Sequence, residues 1–262
     1  MRIRHEVVAL ALATACPALC EDGPASAKVW IGRYADYEEF LKTAAIERLE
    51  DVGMGVTKPR RVFFASGGLA ASAITKHLPP GRQQGYWESY KSEIAAYELD
   101  KLLAMEMVPV TIERRVDGDL VSVQLWVENC KLLKSLQSQT APDVEAWNRQ
   151  VYRQRVFDAL VANIDRNSGN LLVDTAWHLI LIDHSRCFTD TSELPFEKQM
   201  TRIDRPFFEH LLALDSSTLK QHLGPWVLGD AALRALLKRR DQIVADFRRL
   251  AAAKGEAAVF IP

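Results

Sequence analysis

The stretch Asn163-Ile164-Asp165-Arg166-Asn167-Ser168-Gly169-Asn170-Leu171-Leu172-Val173 holds the densest set of residues able to do chemistry. Asn170 follows Asp165 by five residues, and Asp183 follows Asn170 by thirteen, at the end of the apolar run Leu179-Ile180-Leu181-Ile182. Phosphoryl transfer calls for these residue types in this order. The transferred group is highly charged, so divalent cations must neutralise it and hold it in line. Hard cations take oxygen ligands, which the Asn170 carbonyl and the Asp183 carboxylate supply. A further carboxylate must orient the attacking hydroxyl and accept its proton, the role that falls to Asp165. Taken alone, Asp165 and Asn170 are also ordinary turn residues. That reading gives no reason for an aspartate at the end of an apolar strand.

Two upstream residues complete the order. Lys76 ends the strand-like Ser72-Ala73-Ile74-Thr75-Lys76, and Glu93 lies on the helix that follows. A lysine so placed holds phosphates, and a helix glutamate holds the lysine. Lys58 and Lys91 compete with Lys76, and Glu88 and Glu98 with Glu93; strand-end position favours Lys76. Gly53-Met54-Gly55-Val56-Thr57 is a slight phosphate-covering turn, with Gly53 and Gly55 its only glycines. His184, next to Asp183, reads as a hydrogen-bonding support for a metal ligand.

The elements that must position these groups divide into two halves. Apolar spacing predicts a leading helix over 34–49, and strands over 61–66 and 69–77 joined at Gly67-Gly68. A helix over 87–103 follows, then strands over 108–116 and 120–127 turning at Asp117-Gly118-Asp119. Beyond Asn129 come a long amphipathic helix over 144–161, two short strands over 171–173 and 179–182, and mostly helix from Arg205 to Ala253. The expected architecture is α+β in two lobes. A small sheet-rich N-lobe with one helix spans 28–130, a mostly helical C-lobe spans 131–262, and the ligand site lies between them.

Bulk composition excludes little. Apolar residues are 48% of the 262, and 33 basic residues nearly balance 34 acidic ones. A net charge of −1 gives no general attraction to nucleic acid or membrane. At the N-terminus, Arg2 and Arg4 precede the short apolar run Val7 to Cys16, and Ala25-Ser26-Ala27 offers a small-x-small exit. This order reads as a secretory signal peptide over 1–27, giving a secreted or periplasmic protein without a transmembrane helix. Acylation at Cys16 or Cys20 would instead anchor it to lipid; a buried N-terminal helix of a cytoplasmic protein is the alternative. Cys130 and Cys187 remain, distant and without CxxC spacing, and read as unpaired thiols, a single bridge being the alternative.

The set Lys76, Glu93 within Ser92-Glu93-Ile94-Ala95-Ala96-Tyr97, Asp165-Arg166-x-x-x-Asn170 and Ile182-Asp183 resembles the atypical kinases. That group includes the phosphatidylinositol kinases, the actin-fragmin kinase and the secretory-pathway Golgi casein kinases, and the resemblance covers roughly residues 50–250. It implies a protein-kinase-like fold and transfer from ATP, with Mg²⁺ or Mn²⁺, onto a protein, lipid or glycan hydroxyl. It implies that Asp165 is catalytic, that Asn170 and Asp183 hold metal, and that Lys76 anchors phosphate with Glu93 as its partner. Glu128 and Asn129 would form the hinge that meets the adenine through backbone groups. No His-Arg-Asp or Asp-Phe-Gly is present, and the segment after Asp183 is short. Two alternatives share the fold: a pseudokinase that binds nucleotide or a partner without transfer, and another ATP chemistry such as AMP transfer.

Overall fold

A computed structural model describes residues 26–53, 59–83, 85–136 and 138–262. Nearly all of the expected leader, and Gly55, lie outside the described residues. Ser26 and Ala27 are described: the Ala27 N–H donates to Asp174 Oδ2 at 2.9 Å, and Trp30 is fully buried. A leader ending at Ala27 would take that bond with it.

The first helix, α1 (Tyr34–Thr43), stops well before the position that its apolar spacing predicts. Arg114, some 70 residues away in sequence, donates to the Leu41 carbonyl at 2.9 Å and the Ala44 carbonyl at 2.8 Å. These are the orphan acceptors of a helix end. The chain then turns into an edge strand, β1 (Ile46–Asp51), that takes Leu49 with it. Next come β2 (Arg60–Phe64) and β3 (Ser72–Lys76), an antiparallel pair as expected, with a connection longer than Gly67-Gly68 alone. Gly68 sits against Phe40, where a Cβ would lie 2.5 Å from the ring, so a larger residue there would have to push the ring aside.

A small hairpin, β4 (Gly81–Gln83) and β5 (Tyr86–Glu88), precedes α2 (Tyr90–Leu102), whose start is capped by Ser89 accepting from the Lys91 N–H at 3.0 Å. The strands β6 (Thr111–Val116) and β7 (Asp119–Leu125) turn at Asp117 and Gly118, both at positive φ, the conformation that Asp-Gly favours in a tight hairpin. The N-terminal sheet is thus five antiparallel strands in the order β1-β2-β3-β7-β6. The leading α1 and the later α2 lie beside it, and the segment 34–49, expected as one helix, divides into α1 and the edge strand β1.

The chain leaves this sheet through Glu128-Asn129 and enters β8 (Cys130–Leu132). The helix α3 (Val144–Val161) opens on Asp143, which accepts from the Ala146 N–H at 2.9 Å, and closes on Ala162 in the left-handed region. After it, β9 (Leu171–Asp174) and β10 (Leu179–Leu181) join β8 in a three-stranded sheet, ordered β10-β9-β8. The rest is mostly helical: β11 (Ile203–Asp204), α4 (Arg205–Ala213), α5 (Ser216–Leu223), α6 (Gly229–Lys254), α7 (Glu256–Val259), and β12 (Phe260–Ile261), which pairs with β11. Phe157, Leu160, Phe207, Leu236 and Phe247 are buried among them. The molecule is therefore sheet-rich in its N-terminal part and helical in its C-terminal part. Among the described residues no helix is long and apolar enough to cross a membrane. Cys130 and Cys187 are both free thiols, the first only half-buried.

One buried acid makes folding pH-dependent. Asp100 on α2 accepts from the Met107 N–H at 2.9 Å and the Val108 N–H at 3.1 Å, and among the described residues its second oxygen has no partner. Burial pushes its carboxyl up to about 7 from an ordinary 3.8, against the pull of the two amides. Between those values the folded chain keeps a proton that the unfolded chain has released. Stability from this group therefore falls as pH rises through that window and levels off above it. Asp100→Asn keeps an acceptor for both amides and removes the charge. It is expected to raise Tm more at about pH 8 than at about pH 5. Thermal unfolding at both values checks this, and equal shifts would contradict it.

Candidate active site

Side chains alternate along β3, so Ser72, Ile74 and Lys76 share one face of the sheet. Glu93, on the first turn of α2, is 1% exposed, and with Ile74, Lys76, Ser122 and Gln124 it lines a small pocket. Lys76 Nζ donates to Glu93 Oε1 at 2.5 Å and to Asp183 Oδ1 at 2.8 Å. Burial pulls the lysine pKa down, but Asp183 and Glu93 outweigh it and hold the group above its ordinary value. Burial likewise pushes Glu93 up, and Lys76 and His184 outweigh it, so the carboxyl titrates well below its usual range. Lys76 and Glu93 are therefore both charged at neutral pH.

The loop after α3 is built from asparagine turns. Asn163 Oδ1 accepts from the Asp165 N–H at 3.1 Å, and Asn167 Oδ1 accepts from the Gly169 N–H at 2.8 Å. Both are side chains closing a turn on their own backbone. Asp165 does otherwise: its carboxylate makes no turn and instead accepts from Arg186 Nη1 at 3.1 Å. Asn170 Nδ2 donates to the Asp165 carbonyl at 3.1 Å, which leaves its own amide oxygen facing away from that bond.

Arg166 ties this loop to the strand end that carries Asp183. Its guanidinium grips the Asp158 carboxylate at 3.0–3.1 Å, and Nη1 donates to the carbonyls of Asn170 at 2.8 Å and Ile182 at 2.7 Å. Its Nη2 lies 2.8 Å from His184 Nε2. An arginine cannot accept, so Nε2 is the acceptor and the His184 proton sits on Nδ1, 3.8 Å from Glu93 Oε2. Burial lowers the His184 pKa, in keeping with a neutral ring. The His184 N–H adds a bond to Glu93 Oε2 at 3.0 Å. Asp183 follows directly on the pinned Ile182 carbonyl, at φ +63°, a left-handed conformation that costs about 1 kcal/mol or more outside glycine. Losing either member of the buried Arg166–Asp158 pair would cost about 3–5 kcal/mol, since the other charge stays buried.

Lys76, Glu93 and Asp183 thus meet directly, and Asp165 and Asn170 join them through Arg166, Arg186 and the loop backbone. The remaining expected positions stand apart. Gly53 is exposed, at φ +68°, beyond β1. Glu128 is exposed and pairs with Arg61 at 3.0 Å, and Asn129, at φ +57°, is exposed in the connection from β7 to β8. Sequence reasoning assigned nothing to Asp158 or Arg186, and gave Glu88 only as a rival of Glu93, whereas Glu88, on β5, pairs with Arg186. Asp158 had a readable signal: it is a lone acid in the apolar run Val156-Phe157-Asp158-Ala159-Leu160-Val161, all buried.

Comparison with known proteins places this geometry. The family model for phosphatidylinositol 3- and 4-kinase matches residues 65–216, more than half of the chain. No curated protein matches in sequence. Among solved structures, the Golgi casein kinase with Mn/ADP bound superposes with a TM-score of 0.68 at 13% identity, over 87% of this chain and 78% of that one. The hydra Fam20 structure with sugar gives 0.66 at 14% identity, over 87% and 93%. The Helicobacter pylori proinflammatory kinase CtkA gives 0.55 at 12% identity, over 82% and 97%. The fold is that of these kinases, and the chain belongs to the phosphatidylinositol 3- and 4-kinase family, as an atypical kinase.

Proposed function

We propose that this kinase moves the terminal phosphoryl group of ATP onto a protein, lipid or glycan hydroxyl, using Asp165 as base and Lys76 as phosphate anchor. The observation that carries the reading is Lys76 Nζ held between Glu93 at 2.5 Å and Asp183 at 2.8 Å. A cation so fixed is ready to shift from a carboxylate to phosphate oxygens without being repositioned.

The residues fit a divalent cation. Asn170 and Asp183 offer hard oxygens, and the Asn170 amide nitrogen is already used, which turns its oxygen to other partners. Among the described residues no three His, Cys, Asp or Glu side chains converge as a complete cage. Asn170 and Asp183 would hold Mg²⁺ or Mn²⁺ there, and the ion would supply positive charge against the phosphates. One similar structure, the Golgi casein kinase, holds Mn and ADP, which supports the same class of ligands here.

Around that ion the chain's own groups have separate tasks. Lys76 binds phosphate, Glu93 keeps Lys76 in place, and Asp165 orients the acceptor hydroxyl and takes its proton. Glu128 and Asn129 form the hinge, and the segment that begins at Gly53 covers the phosphates. We further propose that residues 1–27 are a leader and that the protein works outside the cytoplasm. Calorimetric titration with ADP tests the site itself. Binding is expected with Mn²⁺ or Mg²⁺ and is expected to weaken sharply when the cation is chelated; affinity indifferent to cations would overturn the reading.

A further inference from the structure

The side chain of Asp165 is 44% exposed, and it is held differently from the backbone that carries it. Its backbone is fixed three times: the N–H by Asn163, the carbonyl by Asn167 at 3.0 Å and by Asn170 at 3.1 Å. Its carboxylate, among the described residues, has one partner: Arg186 Nη1, at 3.1 Å from Oδ2. A half-exposed carboxylate with a fixed backbone still rotates freely about its terminal torsion. Arg186 is what decides where its oxygens point.

Arg186 is itself held from the other lobe. Its Nε donates to Glu88 Oε1 at 2.8 Å, and Glu88, on β5, is 4% exposed at the side chain. The guanidinium lies 4.4 Å from the centre of the Tyr86 ring, on the same strand. Backbone on both sides is tied to the start of α2: the Ser89 N–H donates to the Ser185 carbonyl at 2.9 Å, and Ser92 Oγ to the Cys187 carbonyl at 3.1 Å. A planar guanidinium can reach two carboxylates from different directions at once, which an ammonium does with less directional control. The result is a relay of fixed geometry from β5 of the N-terminal part to the loop aspartate of the C-terminal part.

We propose that Arg186 is a positioning residue: anchored by Glu88 and Tyr86, it turns the Asp165 carboxylate so that Oδ1 is left for the acceptor hydroxyl. This rests on the reading of Asp165 as the base. It also gives the short segment after Asp183 a task, and it makes orientation of the base depend on the placement of one lobe on the other. A surface ion pair with no such role would contribute little to anything measurable.

The test uses the full chain with Mn²⁺ and γ-labelled ATP, following self-phosphorylation and ATP hydrolysis, with ADP titrations and thermal unfolding alongside. Arg186→Ala is expected to slow transfer by about 10–100-fold, the scale of a misplaced reacting group, with ADP affinity nearly unchanged and with a lower Tm, because the buried Glu88 loses its counter-cation. Arg186→Lys should keep part of the rate. Added guanidinium ion at non-denaturing concentration should restore part of the Arg186→Ala rate and none of the Asp165→Ala rate. Wild-type speed in Arg186→Ala beside an inactive Asp165→Ala would overturn the proposal and leave the base assignment standing. A rate loss matched by an equal loss of ADP affinity would overturn it as well, because Arg186 would then support the whole site and not the base alone. Wild-type speed in Asp165→Ala removes the base assignment, and this proposal with it.

Discussion

Asp183→Asn is expected to cut metal-dependent transfer by at least about 10³-fold while the chain still folds. Removing the carboxylate charge takes away the group best placed to bind a divalent cation at the strand end. It also weakens one of the two partners of Lys76, leaving an amide oxygen where an anion stood. The fold should survive for stated reasons. Asparagine tolerates the left-handed backbone found at φ +63°. The Arg166 bond to the Ile182 carbonyl and the His184 bond to Glu93 use neighbouring atoms and stay intact. Lys76 keeps Glu93 at 2.5 Å. Turnover of the variant at saturating Mg²⁺ and Mn²⁺, set beside its unfolding curve, checks the prediction. Unchanged turnover would contradict the assignment.

Asp165→Ala and Lys76→Ala should fail in opposite ways. Without a base to orient and deprotonate the hydroxyl, Asp165→Ala is expected to lose about 10²–10⁴-fold in transfer. Its nucleotide affinity should hardly change, since the groups proposed to hold phosphate and metal are elsewhere. Lys76→Ala should lose nucleotide affinity as well as rate. It carries a further cost that the sequence alone did not reveal. Glu93, 1% exposed, would lose its counter-cation, and an abandoned buried charge costs about 3–5 kcal/mol. Lys76→Ala is therefore expected to unfold at a lower temperature, and Asp165→Ala is not. Calorimetry with a non-hydrolysable ATP analogue, run with thermal unfolding on both variants, separates the two. Equal affinity losses in both would show that the roles are not distinct.

Much of this organisation could be read from residue order because it depends on local rules. The 144–161 helix has the bounds expected from its apolar spacing, with Asp143 as its cap and Ala162 as its stop. The turn at Asp117-Gly118 follows from what those residues allow. What could not be read depends on contacts distant in sequence. The end of α1 is decided by Arg114, which takes the last carbonyls of the helix, and nothing near Leu49 announces it. The helix expected from Trp87 begins at Tyr90 because β5 pairs with β4 first. The juxtaposition of Lys76, Glu93 and Asp183 was expected in order and is found in space. The supports behind them were not: Arg166 belongs to the Asp-Arg-x-x-x-Asn pattern but had no task there, and only its buried contacts to Asp158, Asn170 and Ile182 reveal how it joins the loop to the strand. Arg186 is similar. Its partners come from positions 88 and 165, and no window of sequence contains all three.

The central claim is transfer of the terminal phosphoryl group, and the position of the label in ATP tests it most directly. The full chain is incubated with Mg²⁺ or Mn²⁺ and either γ-labelled or α-labelled ATP, and label is followed on the protein itself and on added protein, lipid and glycan acceptors. Label arriving from the γ-position alone, and lost in Asp165→Ala, is the predicted result. Label arriving from the α-position would mean nucleotidyl transfer on the same fold. Nucleotide binding with no label on any acceptor, the protein included, would mean a kinase fold that binds without transferring. Either result would contradict the account.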